Sequence, residues 1–95
     1  MERLPSGKEL LILELLAQGT ERYGLELVER SGGALKRGTV YVTLGRMELK
    51  GLVASRQDTP PDGAIGPPKR LYRPTALGVR ALQAVGAARL VLRDA

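Results

Sequence analysis

The sequence contains no cysteine, histidine, tryptophan or phenylalanine. The absence of cysteine and histidine excludes disulfide scaffolds, thiol catalysis and nearly every zinc or iron site. The acidic residues are scattered, so no carboxylate site for calcium or magnesium is indicated. A catalyst would need a buried carboxylate pair or an activated lysine, and no spacing indicates either. We therefore expect no metal, no cofactor and no enzymatic activity.

Long apolar runs and a signal-like N-terminus are also missing from the 95 residues. We therefore expect a soluble, cytoplasmic protein with no membrane partner. The length and the 43% hydrophobic content predict a single domain over residues 1–95. A domain of this size buries a modest core, so it can gain stability by forming a homodimer.

Basic residues are abundant but unevenly placed. The net charge of +5 divides into −2 for residues 1–34, +5 for residues 35–73 and +2 for residues 74–95. A basic region of this kind fits double-stranded DNA, because neutralising phosphates releases counterions. A membrane surface is a weaker candidate, since the apolar positions are those of a core.

Residues 36–50, KRGTVYVTLGRMELK, carry the clearest functional pattern. Val40, Leu44 and Met47 recur at i, i+4 and i+7, which predicts a helix with an inward apolar stripe. Its outward side has no carboxylate, so it can lie in an anionic groove. The DNA-binding residues expected in this stretch are Lys36, Arg37, Thr39, Tyr41, Val42, Thr43 and Arg46.

Different roles are expected within this set. Thr39, Val42, Thr43 and Arg46 face the bases, because arginine can bind guanine and threonine or valine can pack on a thymine methyl. Tyr41 lies at the edge of the inward stripe, so it is either a phosphate contact or a core residue. An ordinary amphipathic helix of a small basic domain remains the alternative for the whole stretch.

Two helices are predicted before this stretch. Ser6 and Glu9 form an S-x-x-E capping box for a helix over residues 8–18. That helix is leucine-rich on more than one side, which indicates packing against the core and a second subunit. Thr20 is the candidate N-cap of a second helix over residues 21–30.

The sequence SGG at positions 31–33 separates the second helix from the third. Two short helices joined by a glycine-containing turn form a helix-turn-helix, in which the second helix enters the major groove.

A hairpin and a last helix are predicted after it. Residues 52–57 and 69–73 read as strands around a turn rich in proline and glycine. The hairpin is either a plain surface hairpin or a wing over residues 58–69, whose Lys69 and Arg70 contact phosphate.

Thr75 is the candidate N-cap of the last helix, which gives a dimerisation helix over residues 75–93. Gly78 and Gly86 either weaken this helix or allow a close approach.

This order of elements is that of a winged helix-turn-helix, mostly α with a small two-stranded β wing (α+β). The stretches ILELLAQG, YGLELVE, GTVYVTLGRMELKGLV and PPKRLYRPTALG also resemble PadR-type transcriptional regulators. The resemblance covers most of residues 10–82. It implies a dimeric repressor that binds an inverted-repeat operator and releases it on meeting a small molecule. It also makes Tyr23 and Gly24 a packing pair.

The sequence departs from the family pattern at several points. Family members often have serine and proline where Lys36 and Arg37 stand, which exchanges a capping hydroxyl for two cations. The final helix is short, there is no separate ligand domain, and the only aromatic residues are three tyrosines. A small-molecule effector is therefore unsupported by the sequence. A winged-helix module that binds another protein is the alternative function.

Overall fold

The computed structural model describes residues 5–19, 21–58 and 69–94, with side chains to residue 86. The elements in these residues are α1 (Gly7–Ala17), β1 (Arg22–Tyr23), α2 (Gly24–Arg30), α3 (Arg37–Leu49), β2 (Val53–Asp58), β3 (Lys69–Pro74) and α4 (Ala76–Asp94). The strands form one antiparallel sheet in the order β1-β3-β2. The predicted α+β winged helix class is confirmed.

Helix α1 contacts α2, α3, α4 and β3. The predicted capping box is present, since Ser6 Oγ accepts from the Glu9 amide at 3.3 Å and Glu9 Oε1 accepts from the Ser6 amide at 2.9 Å. The buried apolar side chains of α1 are Leu10, Ile12, Leu13, Leu15 and Leu16. The chain itself covers them, so the structure does not support the expectation that α1 needs a second subunit.

Helix α2 is shorter than the sequence predicts. The prediction was a helix over residues 21–30, but α2 begins at Gly24. Glu26 Oε1 accepts a hydrogen bond from the Tyr23 amide at 2.8 Å, which caps the first turn. The predicted cap, Thr20, lies outside the described residues.

The residues before α2 form a strand that the sequence analysis missed. In β1, Arg22 pairs with Tyr72 and Tyr23 pairs with Leu71 of β3. The sheet in the described residues therefore has three strands, whereas two were predicted. A two-residue strand has no periodicity of its own, and its pairing partner lies far along the chain.

The turn between α2 and α3 depends on two glycines. Gly32 and Gly33 have φ values of 62° and 99°, in the left-handed region that glycine adopts at low cost. Ser31 Oγ accepts from the Leu35 amide at 3.0 Å and donates to the Val28 carbonyl at 2.7 Å. These bonds hold the helix-turn-helix together.

Helix α3 ends in a Schellman motif. Gly51 has a φ of 78°, its amide bonds to the Glu48 carbonyl at 3.0 Å, and the Leu52 amide bonds to the Met47 carbonyl at 2.9 Å. Because Leu52 directly precedes β2, α3 and the first strand of the hairpin are joined without a free linker.

Helix α4 starts against this same junction. Thr75 Oγ1 accepts from the Gly78 amide at 3.0 Å, which confirms the predicted N-cap, and donates to the Gly51 carbonyl at 2.5 Å. A β-carbon at Gly78 would lie 2.1 Å from the Leu52 carbonyl oxygen, whereas one at Gly86 would meet nothing within 4 Å. The sequence left two alternatives for these glycines, a weakened helix or a close approach. At Gly78 the structure shows the close approach, to the backbone of Leu52.

The main core combines all four helices with the sheet. Its fully buried residues include Ile12, Leu13, Leu16, Leu27 and Leu44. Ala81 and Leu82 of α4 pack against it. No helix within the described parts of the chain is both long and apolar enough to cross a membrane.

Candidate DNA-binding surface

Helix α3 has one buried side and one exposed side. The inward stripe is at most 1% exposed: Val40, Leu44 and Met47. On the opposite side Val42 is 55% exposed, Thr39 and Arg46 are also exposed, and Thr43 is half-buried. The predicted division into two sides is confirmed.

The two threonines on the outward side direct their hydroxyl hydrogens back to the helix. Thr43 Oγ1 donates to the Thr39 carbonyl at 3.2 Å, and Thr39 Oγ1 donates to the Lys36 carbonyl at 3.5 Å. Their oxygen lone pairs and methyl groups are therefore the parts available to a ligand. Such groups can accept from a base amino group or pack on a thymine methyl.

The N-terminus of α3 lacks a side-chain cap. Lys36 is the N-cap residue and makes no capping hydrogen bond, as the departure from the family pattern indicated. The amides of Thr39 and Val40 bond to its carbonyl at 3.2 and 2.9 Å. The amides of Arg37 and Gly38 come before these first hydrogen bonds of the helix, at the positive end of the helix dipole. Two exposed cations and two amides thus lie together at this end of α3.

A groove of about 320 Å³ separates the outward side of α3 from the start of α1. Its lining residues are Ser6, Lys8, Glu9, Thr39, Val42, Thr43 and Arg46. Lys8 is exposed in the first turn of α1 and adds a cation that the sequence analysis did not include. Lys8 and Arg46 are far apart in sequence, so no local pattern brings them together.

Glu9 and Lys50 form a partly buried ion pair. Glu9 is 3% exposed, and Lys50 Nζ donates to both of its carboxylate oxygens at 2.9 and 3.0 Å. Burial raises the pKa of Glu9, but the Ser6 amide and the Lys50 ammonium outweigh it, so the pKa lies below its ordinary value of 4.5. The pair fixes α1 against α3 and engages Lys50 within the protein.

Tyr41 combines packing with exposure. Its ring is 48% exposed, and a β-carbon at Gly24 would lie 2.6 Å from ring atom Cε1. The ring therefore packs on the backbone at the start of α2, which only glycine permits. The predicted phosphate contact of Tyr41 stays a prediction.

The hairpin of β2 and β3, here called the wing, has two sides. The helix side, which faces α3, carries Ser55, Gln57, Arg70 and Tyr72. Ser55 Oγ donates to Glu48 Oε2 of α3 at 2.7 Å and accepts from Arg70 Nη1 at 3.0 Å. Burial, followed by the nearby Glu48 carboxylate, raises the pKa of Tyr72.

The far side of the wing carries Arg56, Asp58 and Lys69. Tyr23 Oη donates to Asp58 Oδ2 at 2.5 Å, and this bond raises the pKa of Tyr23. Lys69 Nζ lies 5.4 Å from the centroid of the Tyr23 ring. Arg56 Nε and Nη2 donate to the Glu21 carboxylate at 2.7 and 2.8 Å. This side thus binds to the segment that precedes α2.

Within the predicted wing over residues 58–69, Asp58 and Lys69 form the last described pair of the ladder. Residues 59–68 lie outside the described residues.

The model of the family described as "Transcriptional regulator PadR-like family" matches residues 12–84, from α1 into α4. The chain belongs to the PadR-like family. The resemblance found in the sequence is confirmed.

Solved structures show the same fold as this PadR-like chain. A PadR family transcription regulator from Clostridium difficile R20291 has 26% identity and a TM-score of 0.76, with 90% of each chain covered. A PadR family transcriptional regulator from Eggerthella lenta has 32% identity and a TM-score of 0.71, covering 92% of this chain and 78% of that one.

Bacillus subtilis PadR, solved in complex with operator DNA, has 21% identity and a TM-score of 0.71. The match covers 82% of this chain and 45% of that one, and it shows a shared fold. No curated protein is significantly similar in sequence.

The PadR-like fold places most of the predicted DNA-binding residues on the surface. Every one of the nine is exposed except the half-buried Thr43. Seven lie on α3 and its N-cap, whereas Lys69 and Arg70 leave the wing on opposite sides. In the described part of the chain, no group of three acidic side chains could hold a metal ion.

Proposed function

We propose that this PadR-like regulator is a dimeric repressor that binds an inverted-repeat operator in double-stranded DNA, with α3 in the major groove. The exposed, carboxylate-free side of α3 carries the proposal. Val42, Thr39 and Arg46 are exposed there, on a helix held rigidly by the buried stripe behind it. Side chains fixed in this way can read base edges, because the helix backbone sets their spacing.

Base reading is assigned to four side chains of α3. Arg46 donates to the acceptor edge of a guanine, and it has no ion-pair partner among the described residues that would compete. Thr39, Val42 and Thr43 offer methyl groups and lone pairs to thymine and to base amino groups. The half-site is therefore expected to combine a guanine with adjacent A·T pairs.

Phosphate contacts surround this reading surface. Lys36 and Arg37 stand at the uncapped start of α3, where the free amides also favour an anion. Lys8 lies across the groove on α1. The exposed end of the wing supplies a further cation, and Tyr41 offers its hydroxyl group. These contacts position the helix without reading sequence.

The dimer is assigned to α4. This helix has 19 residues, about 28 Å at the rise of an α-helix, and among its described side chains Ala81 and Leu82 pack on the core. The remaining length is suited to pairing with a second copy. A twofold dimer matches an inverted repeat because its two reading helices are related by the same symmetry. No effector forms part of this proposal.

Selection from randomised duplexes with the purified protein tests the function. The expected result is an enriched inverted repeat whose affinity falls steeply as salt rises, since several phosphates are neutralised. Salt-sensitive binding without any enriched sequence would contradict the proposal. That outcome would favour the protein-binding module.

Substitution of Arg46 tests base reading. Arg46→Ala is expected to cost about 1–3 kcal/mol on the selected operator and to relax the preference at one base position. Arg80→Ala, which removes an exposed arginine of α4, is the matched control for charge. An unchanged base preference in Arg46→Ala would exclude its role in reading the sequence.

A further inference from the structure

Lys69 and Arg70 have different surroundings, although they are neighbours in sequence. Arg70 lies on the helix side of the wing and Lys69 on the far side, because successive residues of a strand point to opposite sides. Both are exposed, so exposure alone does not separate their roles. The groups that each side chain contacts within the protein do separate them.

The helix side of the wing continues the surface of α3. At the base of the hairpin this side is buried on the core through Val53 and Tyr72. Nearer the tip it is exposed at Gln57 and Arg70, which form a cross-strand pair. In the proposed complex, a duplex that lies along α3 meets the wing on this side.

Arg70 is held on the helix side by a chain of hydrogen bonds. Its Nη1 donates to Ser55 Oγ at 3.0 Å, and Ser55 Oγ donates to Glu48 Oε2 at 2.7 Å. Glu48 belongs to the last turns of α3. Among the described residues, the guanidinium uses one donor, in its bond to Ser55, which leaves its other donors for a ligand.

Lys69 is engaged on the other side. Its ammonium lies 5.4 Å from the centroid of the Tyr23 ring. The Tyr23 hydroxyl bonds to Asp58, the cross-strand partner of Lys69. The Asp58 carboxylate accepts from Tyr23 and the Glu21 carboxylate pairs with Arg56, so the charged groups around Lys69 are engaged within the protein. This arrangement fastens the wing to β1.

We propose that Arg70 is the wing residue that contacts the DNA backbone. Ser55, which is itself held by Glu48, positions the Arg70 guanidinium, and Lys69 is a structural residue of the far side. This assignment rests on the proposed function. It narrows the expectation that both cations contact phosphate.

The salt dependence of operator binding tests the assignment, because its slope counts the phosphates that the protein neutralises. Arg70→Ala is expected to reduce the slope by about 0.9 for each subunit and to weaken binding at all sequences alike. Lys69→Ala, the matched control, is expected to leave the slope unchanged. Thermal melting of both variants shows whether the fold is kept.

Ser55 has its own pair of variants. Ser55→Ala removes the hydroxyl between Glu48 and Arg70, and it is expected to weaken operator binding several-fold. Ser55→Thr keeps the hydroxyl at a strand position and is expected to restore binding. Wild-type affinity in Ser55→Ala would exclude the positioning role.

The outcomes separate this assignment from the proposed function. A wild-type protein without an enriched site overturns both. A wild-type protein that binds its operator while Lys69→Ala lowers the slope, and Arg70→Ala does not, overturns the assignment alone.

Discussion

At the scale of single residues, Glu9 has two structural roles. It closes the capping box of α1 and binds Lys50 of the α3 C-cap. The first role was predicted from Ser6 and the spacing to Glu9. The second was not, because Lys50 is 41 positions away and no local pattern reports such a contact.

Substituting Glu9 should change how stability depends on pH. The folded-state pKa of Glu9 lies below 4.5, so the carboxylate contributes stability above that pH, and this contribution is lost as the pH falls through the folded-state pKa. Glu9→Gln should therefore lower the free energy of unfolding by about 1 kcal/mol at pH 7 and by less near pH 3. Urea denaturation across this range measures the difference.

Glu14→Gln is the matched control, because Glu14 is an exposed glutamate on the same helix. Its effect on the free energy of unfolding should vary less with pH. A Glu9→Gln deficit that stayed constant from pH 7 to pH 3 would contradict the assigned ion pair.

Two glycines of α4 should respond in opposite directions to alanine. Gly78→Ala places a β-carbon against the Leu52 carbonyl oxygen, and backbone cannot move aside as a side chain can. We expect it to lower the free energy of unfolding by about 1–3 kcal/mol. Gly86→Ala meets open space and should raise it by up to about 1 kcal/mol.

Chemical denaturation of the two single variants gives the comparison. Equal changes in the free energy of unfolding would mean that α4 does not approach the Leu52 carbonyl as closely as the structure shows.

At the scale of elements, the Tyr41 ring of α3 packs on the start of α2. Tyr41 covers Gly24, so Gly24→Ala must displace the outer end of the ring. We expect a loss of about 1 kcal/mol in the free energy of unfolding.

A double-mutant cycle isolates this contact. Gly24→Ala should cost less when Tyr41 is already alanine, with a coupling energy of about 0.5–3 kcal/mol. Additive costs in the double variant would show that the ring and the glycine do not interact.

The elements that sequence predicted best are those with their own periodicity. The inward stripe of α3 and the cap at Thr75 follow from local patterns, and the structure confirms both. Strand β1 was missed because two residues show no period and depend on β3. For the same reason the start of α2 was placed too early.

The candidate site was predicted unevenly. Residue types at helical spacing identified the outward side of α3. They could not place Lys8 beside it, nor separate Arg70 from Lys69, because those facts depend on the packing of α1 and the register of the wing. Cross-strand register is set by tertiary contacts that one sequence does not display.

At the scale of the whole molecule, the proposed dimer makes one direct prediction. Removing residues 87–95 should leave the domain folded, because α4 packs on the core through Ala81 and Leu82. It should convert a particle of two 10.2 kDa chains into one of a single chain and weaken operator binding. Sedimentation equilibrium measures the mass, and circular dichroism checks the fold.

If the truncated chain kept the mass of a dimer, the subunit interface would lie outside residues 87–95. The full-length chain at the same concentration is the reference.

The junction at Gly51 and Leu52 also couples the orientation of α4 to that of α3. Thr75 binds both residues, at 2.5 Å through its hydroxyl and at 3.0 Å through its amide, so the start of α4 is fastened to the end of α3. A tilt of about 10° about this junction would carry the far end of a 28 Å helix through about 5 Å. Conversely, fixing the far ends of the two α4 helices against each other in a dimer would fix the distance between the two α3 helices.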